Sequence, residues 1–170
     1  MKWKESVGSF VVTLSEVIQR LCDAKVDFVI VGGFAATFYQ CRMPITRNLE
    51  ICTPLGQPEL AKLRDLLRDL NPRHRPTSKT FLTVASQTDS EIKELHLETE
   101  AGALDFASSI LGVGDFDRVR AAAIEIELFG RRCRVISLED LIQAKEALAR
   151  DKDLLAAKEL RAIREKLKQS

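Results

Sequence analysis

Asn48, Glu50 and Asp105 are the side chains in this sequence best suited to shared chemistry. Positions 48 and 50 alternate along a run, NLEIC, that reads as a strand, so they share one face. Asp105 falls in a later short run, ALDFA, that could lie beside them. Oxygen-bearing groups converging in this way suit a hard cation such as Mg²⁺, which takes oxygen ligands and keeps waters for a substrate phosphate. Upstream, Gly32-Gly33 opens a short helix whose first backbone N–H groups point to where a phosphate could sit. The metal and phosphate positions would then be neighbours.

The same residues admit plainer readings. A glycine pair also makes a tight strand-to-helix turn with close packing. Asn48 and Glu50 fit the solvated face of an edge strand. Asp105 is harder to explain in that way, because an acid among apolar neighbours requires a partner. His74, between Arg73 and Arg75, reads as part of a basic loop, since no acid close in sequence would orient it as a base. His96 reads as a strand residue. Ser9, Ser108 and Cys41 lack a nucleophile context such as G-x-S-x-G, so nothing supports acyl transfer.

The elements that must position these groups follow from periodicity. Val7, Phe10, Val11, Leu14, Val17, Ile18 and Leu21 form a stripe at three- and four-residue steps, which predicts an amphipathic helix ending near Ala24. DFVIV, 27–31, is β-branched and aromatic and predicts a buried strand, followed by the glycine pair and a helix holding Phe34, Ala35, Phe38 and Tyr39. After the strand at 48–52, Pro58 and the stripe from Leu60 to Leu70 predict a helix closed by Asn71-Pro72. Residues 71–78, NPRHRPTS, read as a loop. Strands are expected at 80–85, 95–99 and 103–106, and a helix at 116–122. A hairpin of 124–129 and 133–136 should turn at Gly130-Arg131, before two carboxy-terminal helices. Ser137 suits the cap of the first of these, with Asp140 at its third position.

Composition sets the outer limits. A chain of 170 residues suits one domain, divided as a helix at 1–24, a sheet core at 27–136 and helices at 137–170. With 45% hydrophobic and 30% charged residues it can bury a core, which excludes a disordered or collagen-like chain. The net charge of +1 argues against a protein that coats nucleic acid through overall charge. Local basic groups, namely Arg68, Arg73, His74, Arg75 and Lys79, and then Arg131, Arg132 and Arg134, are the places for an anionic acceptor such as RNA. No apolar run is long enough to span a bilayer and the amino terminus does not read as a secretory leader, so a cytoplasmic protein with no membrane partner is expected. The four cysteines form no C-x-x-C pair and read as reduced, mostly buried residues.

The stretches FVIVGGFAATFYQ, MPITRNLEI, LHLETEAGALDFASSILGVGDF and VISLEDLIQAKEALARDKDLLAAKEL cover most of the chain between Phe28 and Leu160. In order and content they resemble the nucleotidyltransferase-fold proteins related to DNA polymerase beta, especially small bacterial members of the toxin and antitoxin type. The resemblance implies an α/β (α+β) fold with a mixed sheet flanked by helices. It also implies transfer of a nucleoside monophosphate from a nucleoside triphosphate to a hydroxyl of an RNA or protein acceptor, with Mg²⁺ as cofactor. Gly32 and Gly33 match the family's phosphate-binding pair. Asn48 and Glu50 match its Asp-x-Asp metal ligands, and Asp105 its third carboxylate, which would also help deprotonate the acceptor. Lys145, Arg150 and Asp153 look like its carboxy-terminal Lys, Arg and Asp, although their spacing alone equally fits exposed helical ion pairs. The departure lies in TRNLEI, where T-x-D-x-D is expected: Asn48 keeps an oxygen but loses a charge, and Glu50 carries one more methylene. The alternative expectation is therefore a pseudoenzyme, a nucleotide-binding or regulatory module that acts through a toxin or antitoxin partner.

Overall fold

The computed structural model describes residues 13–42, 48–75 and 92–170. The predicted residues of the first helix before Thr13, the strand expected at 80–85, Lys79 and the stretch 43–47 lie outside the described residues. Within them, a mixed sheet of seven strands carries the architecture. The strands are β1 (Val29–Val31), β2 (Asn48–Cys52), β3 (Arg73–His74), β4 (Glu94–Thr99), β5 (Gly102–Ala107), β8 (Ile124–Leu128) and β9 (Arg131–Val135), in the order β3-β4-β5-β2-β1-β9-β8. The short strands β6 (Ser109–Ile110) and β7 (Gly114–Asp115) form a separate small hairpin.

The order follows from hydrophobicity. β1 is buried along its whole length, as a strand covered on both faces must be. It lies near the middle of the sheet, antiparallel to β2 and parallel to β9. β2 alternates: Leu49 and Ile51 point into the core, while Asn48 and Glu50 share the half-buried face. β2 runs parallel to β5, and the register sets Glu50 opposite Asp105. β5 in turn pairs with β4 in an antiparallel hairpin that sets His96 opposite Asp105.

Helices cover the sheet. α1 (Leu14–Asp23) buries Val17, Ile18 and Leu21 and packs against β9. α2 (Gly32–Phe38) starts on the first glycine and packs on β1 and β2. α3 (Gln57–Leu67) opens with Pro58 in its first turn and ends in a 3₁₀ turn, after which Asn71 takes a left-handed conformation. α4 (Phe116–Ala122) is capped by Asp115, which accepts from the Arg118 N–H. α5 (Leu138–Leu148) begins with the expected cap, the Ser137 hydroxyl accepting from the Asp140 N–H at 3.1 Å. α6 (Asp151–Lys168) packs back on α5. No helix among the described residues is long and apolar enough to cross a membrane. Cys41, Cys52 and Cys133 are buried and Cys22 is half-buried, and none of the four forms a disulfide.

Two expectations are corrected. The stretch 71–78 is not loop throughout: Arg73 and His74 pair with Glu98 and Leu97 as an edge strand, and the Arg75 N–H donates to the His96 carbonyl at 3.0 Å. Local sequence hides this strand because it is two residues long and follows a proline. The β8–β9 hairpin turns at Phe129 and Gly130, both with positive φ as a type I′ turn requires, so Arg131 begins β9 instead of belonging to the turn.

Leu49 is fully buried and anchors the strand that presents Asn48 and Glu50. Leu49→Ala should lower the unfolding free energy by about 2–5 kcal/mol, read from the urea midpoint.

Candidate functional site

The parallel register of β2 and β5 brings Asn48, Glu50 and Asp105 together beside the start of α2. At that point the chain needs glycine. Gly32 has φ +65, and a Cβ added there would fall 1.2 Å from a Glu50 carboxylate oxygen. The Glu50 carboxylate accepts from the Gly33 N–H, so it sits on the glycine turn itself. Burial pushes the Glu50 carboxyl up from its ordinary pKa. Lys145, the Gly33 N–H and Arg150 pull it back, and the Asp105 charge adds to the rise.

Asp105 is the hub. Its Oδ2 accepts from the Asn48 side-chain amide at 3.1 Å. Its Oδ1 accepts from the Arg75 guanidinium and pairs with His96 Nδ1 at 2.8 Å. The other ring nitrogen of His96 lies 3.3 Å from Glu94. The hydrogen bond to Asp105 raises the His96 pKa above its ordinary value. Partial burial opposes the shift, and Glu94 reinforces it.

α5 and α6 supply the opposite wall. Lys145 and Arg150 both pair with Asp153, at 3.6 Å and 2.5 Å. The Asp153 side chain is only 1% exposed. Burial alone would raise its pKa, but Arg150 and Lys145 together hold it below the usual carboxylate range. Arg150 is exposed, as spacing alone also allowed, but the carboxylate on which both pairs close is buried. Between the two walls lies a cavity of about 280 Å³. Its lining is mixed: Glu50, His96, Asp105, Lys145 and Arg150 are polar, and Ile110, Leu111 and Leu148 are apolar. A small anionic ligand with an apolar moiety would match that mixed lining.

The structure thus brings Gly32, Glu50, Asp105, Lys145 and Arg150 to the lining of one cleft, with Gly33 and Asn48 in contact with that lining through Glu50 and Asp105. His96 joins this lining, and Arg75 reaches Asp105 from outside it; neither has a functional signature in the local sequence. The alternation of ELHLET puts Glu94, His96 and Glu98 on one face, but only the pairing with GALDFA shows that this is the face of Asp105. The other basic cluster is offset by acids: Arg131 pairs with Asp23 at 2.8 Å, Arg134 with Asp27 and Glu125 at 3.5 and 3.7 Å, and Arg132 with Glu125 at 4.0 Å. It offers no uncompensated patch to an anionic acceptor.

The donor set as folded does not fit a pair of Mg²⁺ ions. Asn48 turns its amide donor, not an oxygen, toward Asp105, and both Asp105 oxygens already accept hydrogen bonds. Among the described residues, no group of three or more His, Cys, Asp or Glu side chains is arranged to hold a metal ion.

Neither the models of protein families nor the curated protein sequences give a match to this chain. Solved structures do. The lincosamide antibiotic adenylyltransferase LnuA, bound to lincomycin, superposes with a TM-score of 0.57 at 16% identity, over 88% of this chain and 95% of that one. The antibiotic-resistance factor ANT(2'')-Ia matches with a TM-score of 0.55 at 14% identity, over 92% of this chain and 91% of that one. A second structure of ANT(2'')-Ia holds adenylyl-2''-tobramycin. A Thermotoga maritima protein assigned to the nucleotidyltransferases, TM1012, gives a TM-score of 0.53 at 17% identity, over 92% and 91%. At such identities the likeness is one of fold: the chain has the mixed α/β architecture of the nucleotidyltransferases.

Because the pKa of Asp153 is lowered on folding, its contribution to stability is present above the unfolded carboxylate pKa of about 4 and disappears as pH falls through the lower, folded value. Asp153→Asn should therefore unfold more readily at pH 7, and the gap to the parent protein should narrow as pH drops below about 4. Thermal unfolding at stepped pH measures it.

Proposed function

We propose that this chain is a nucleotide-binding member of the nucleotidyltransferase fold, which holds a nucleoside triphosphate in the cleft without transferring its nucleoside monophosphate. The observation that carries this reading is the state of Asp105, whose oxygens are taken by Arg75, His96 and Asn48. With three of its roughly four acceptor sites already facing donors, this carboxylate has little room to take an acceptor hydroxyl as well. Binding is supported on the other side of the cleft. Lys145 and Arg150 line the cleft close enough to Glu50 to favour its charged form, and such cations suit a polyphosphate. The apolar lining residues, Ile110, Leu111 and Leu148 among them, suit a nucleobase. Such a protein would act as a regulatory or scaffolding module.

A second reading is favoured by one observation, the exact register that sets Glu50 opposite Asp105. In it the protein is a working transferase: an acceptor hydroxyl gives its proton to Asp105 and attacks the α-phosphorus, the new P–O bond forms, and the bond from the α-phosphorus to the bridging oxygen breaks so that pyrophosphate leaves. The acceptor would be an RNA, a protein or, by analogy with LnuA and ANT(2'')-Ia, a small antibiotic.

Calorimetric titration with ATP, GTP, CTP and UTP should give saturable binding of at least one. Incubation with the same nucleotides, labelled at the α-phosphate, and with total RNA, cellular protein, lincomycin or tobramycin should leave every acceptor unlabelled. Label transferred by the parent protein and lost in Asp105→Asn would establish the second reading instead. Failure of all four nucleotides to bind would remove the nucleotide from both.

A further inference from the structure

The face of the sheet that carries Asp105 holds a row of side chains, one from each adjoining segment. Asn48 comes from β2, Asp105 from β5, His96 from β4 and Arg75 from the end of β3. Their contacts are set by strand register. His96 is the direct cross-strand partner of Asp105. The Arg75 N–H continues the β3–β4 ladder by donating to the His96 carbonyl, so the guanidinium is delivered to Asp105 from a fixed backbone position. The Arg75 side chain is 32% exposed and that of Asp105 17%, so the contact is largely withdrawn from solvent, where screening is weak.

Glu50, Asp105, Asp153 and Glu94 are acidic, while Arg75, Lys145 and Arg150 are permanently or ordinarily cationic, and His96 hydrogen-bonds two of the acids. A cleft built around divalent cations leaves its carboxylates for the metal to neutralise. Here Arg75 already does so at Asp105, and Lys145 with Arg150 at Asp153, and a divalent ion at Asp105 would have to displace Arg75 or lie beside its like charge.

We propose that Arg75, assisted by His96 and the Asn48 amide, stands at Asp105 in the place of a divalent cation, so that the cleft takes its nucleoside triphosphate as the free, metal-independent anion. The ligand in this statement rests on the nucleotide reading above, whereas the replacement of the cation by Arg75 does not. Lys145 and Arg150 then meet the phosphates directly, as charge-assisted hydrogen-bond donors.

The test separates the two parts. Free Mn²⁺ is followed by its electron paramagnetic resonance signal during titration of the full chain without nucleotide. The parent protein should deplete the signal weakly, and the double variant Asn48→Asp with Arg75→Ala should bind Mn²⁺ at least about tenfold more tightly. Adding Asp105→Asn to that variant should abolish the gain. Circular dichroism confirms folding, and should the double variant not fold, Arg75→Gln carries the same comparison with the side-chain bulk kept. Parent protein that binds Mn²⁺ as tightly as the variants, or variants that gain nothing, would overturn the assignment of Arg75. In the second arm, the dissociation constant of ATP, or of whichever triphosphate binds, should change by less than about threefold between Mg²⁺ and EDTA. A Mg²⁺ requirement would overturn the metal-independent cleft. Absence of binding in both conditions, with the Mn²⁺ contrast intact, would overturn the nucleotide reading and leave Arg75 as the cation's replacement.

Discussion

Everything in the cleft depends on the parallel pairing of β2 with β5, in which Glu50 faces Asp105 across one ladder step. The period of a strand is two, so a slip of one residue would send Asn48 and Glu50 into the core and bring Leu49 and Ile51 to the cleft. Burial of Leu49, Ile51, Leu104 and Phe106 on the other face resists that slip. The apolar half of each strand thus fixes the position of its polar half. The same register, continued through β4, sets His96 against Asp105 and lets Arg75 follow.

Around that constraint, the cleft is built from mutually satisfied charges. Asp105 is held by three donors and Asp153 by two cations, while Glu50 lies between Lys145 and the Gly33 N–H. Half-buried carboxylates are tolerable only with such partners. Gly32 belongs to this system as well, because the extra methylene of Glu50 carries its carboxylate into space that a Cβ at position 32 would claim. The substitutions that set NLEI apart from an Asp-x-Asp pattern therefore have structural consequences. The amide of Asn48 donates to Asp105, and the longer Glu50 settles on the glycine turn.

The elements with a long periodic stripe or a short apolar run were readable from sequence. β1, β2, α4 and the pair α5 and α6 lie where the pattern of Val, Ile and Leu puts them, and Ser137 caps α5 as its spacing with Asp140 suggests. The grouping of positions 48, 50 and 105 near Gly32-Gly33 was also accessible, as a resemblance in the order of motifs. The partners of Asp105 were not. Arg75 follows a two-residue edge strand too short to leave a periodic signal, and His96 gains meaning only through its cross-strand register with Asp105. Long-range pairing sets these contacts, and local pattern contains no record of it. The burial of Asp153 escaped for a related reason: i, i+3 spacing to Arg150 describes a surface pair equally well until α6 folds back on α5.

The most direct measurement of the cation's replacement is anomalous diffraction at the manganese edge, from crystals grown with MnCl₂ and a non-hydrolysable nucleotide analogue. A metal-free cleft predicts no anomalous peak between Glu50 and Asp105, with the Arg75 guanidinium still within hydrogen-bond distance of Asp105. A manganese peak ligated by those two carboxylates, with Arg75 swung away, would contradict it.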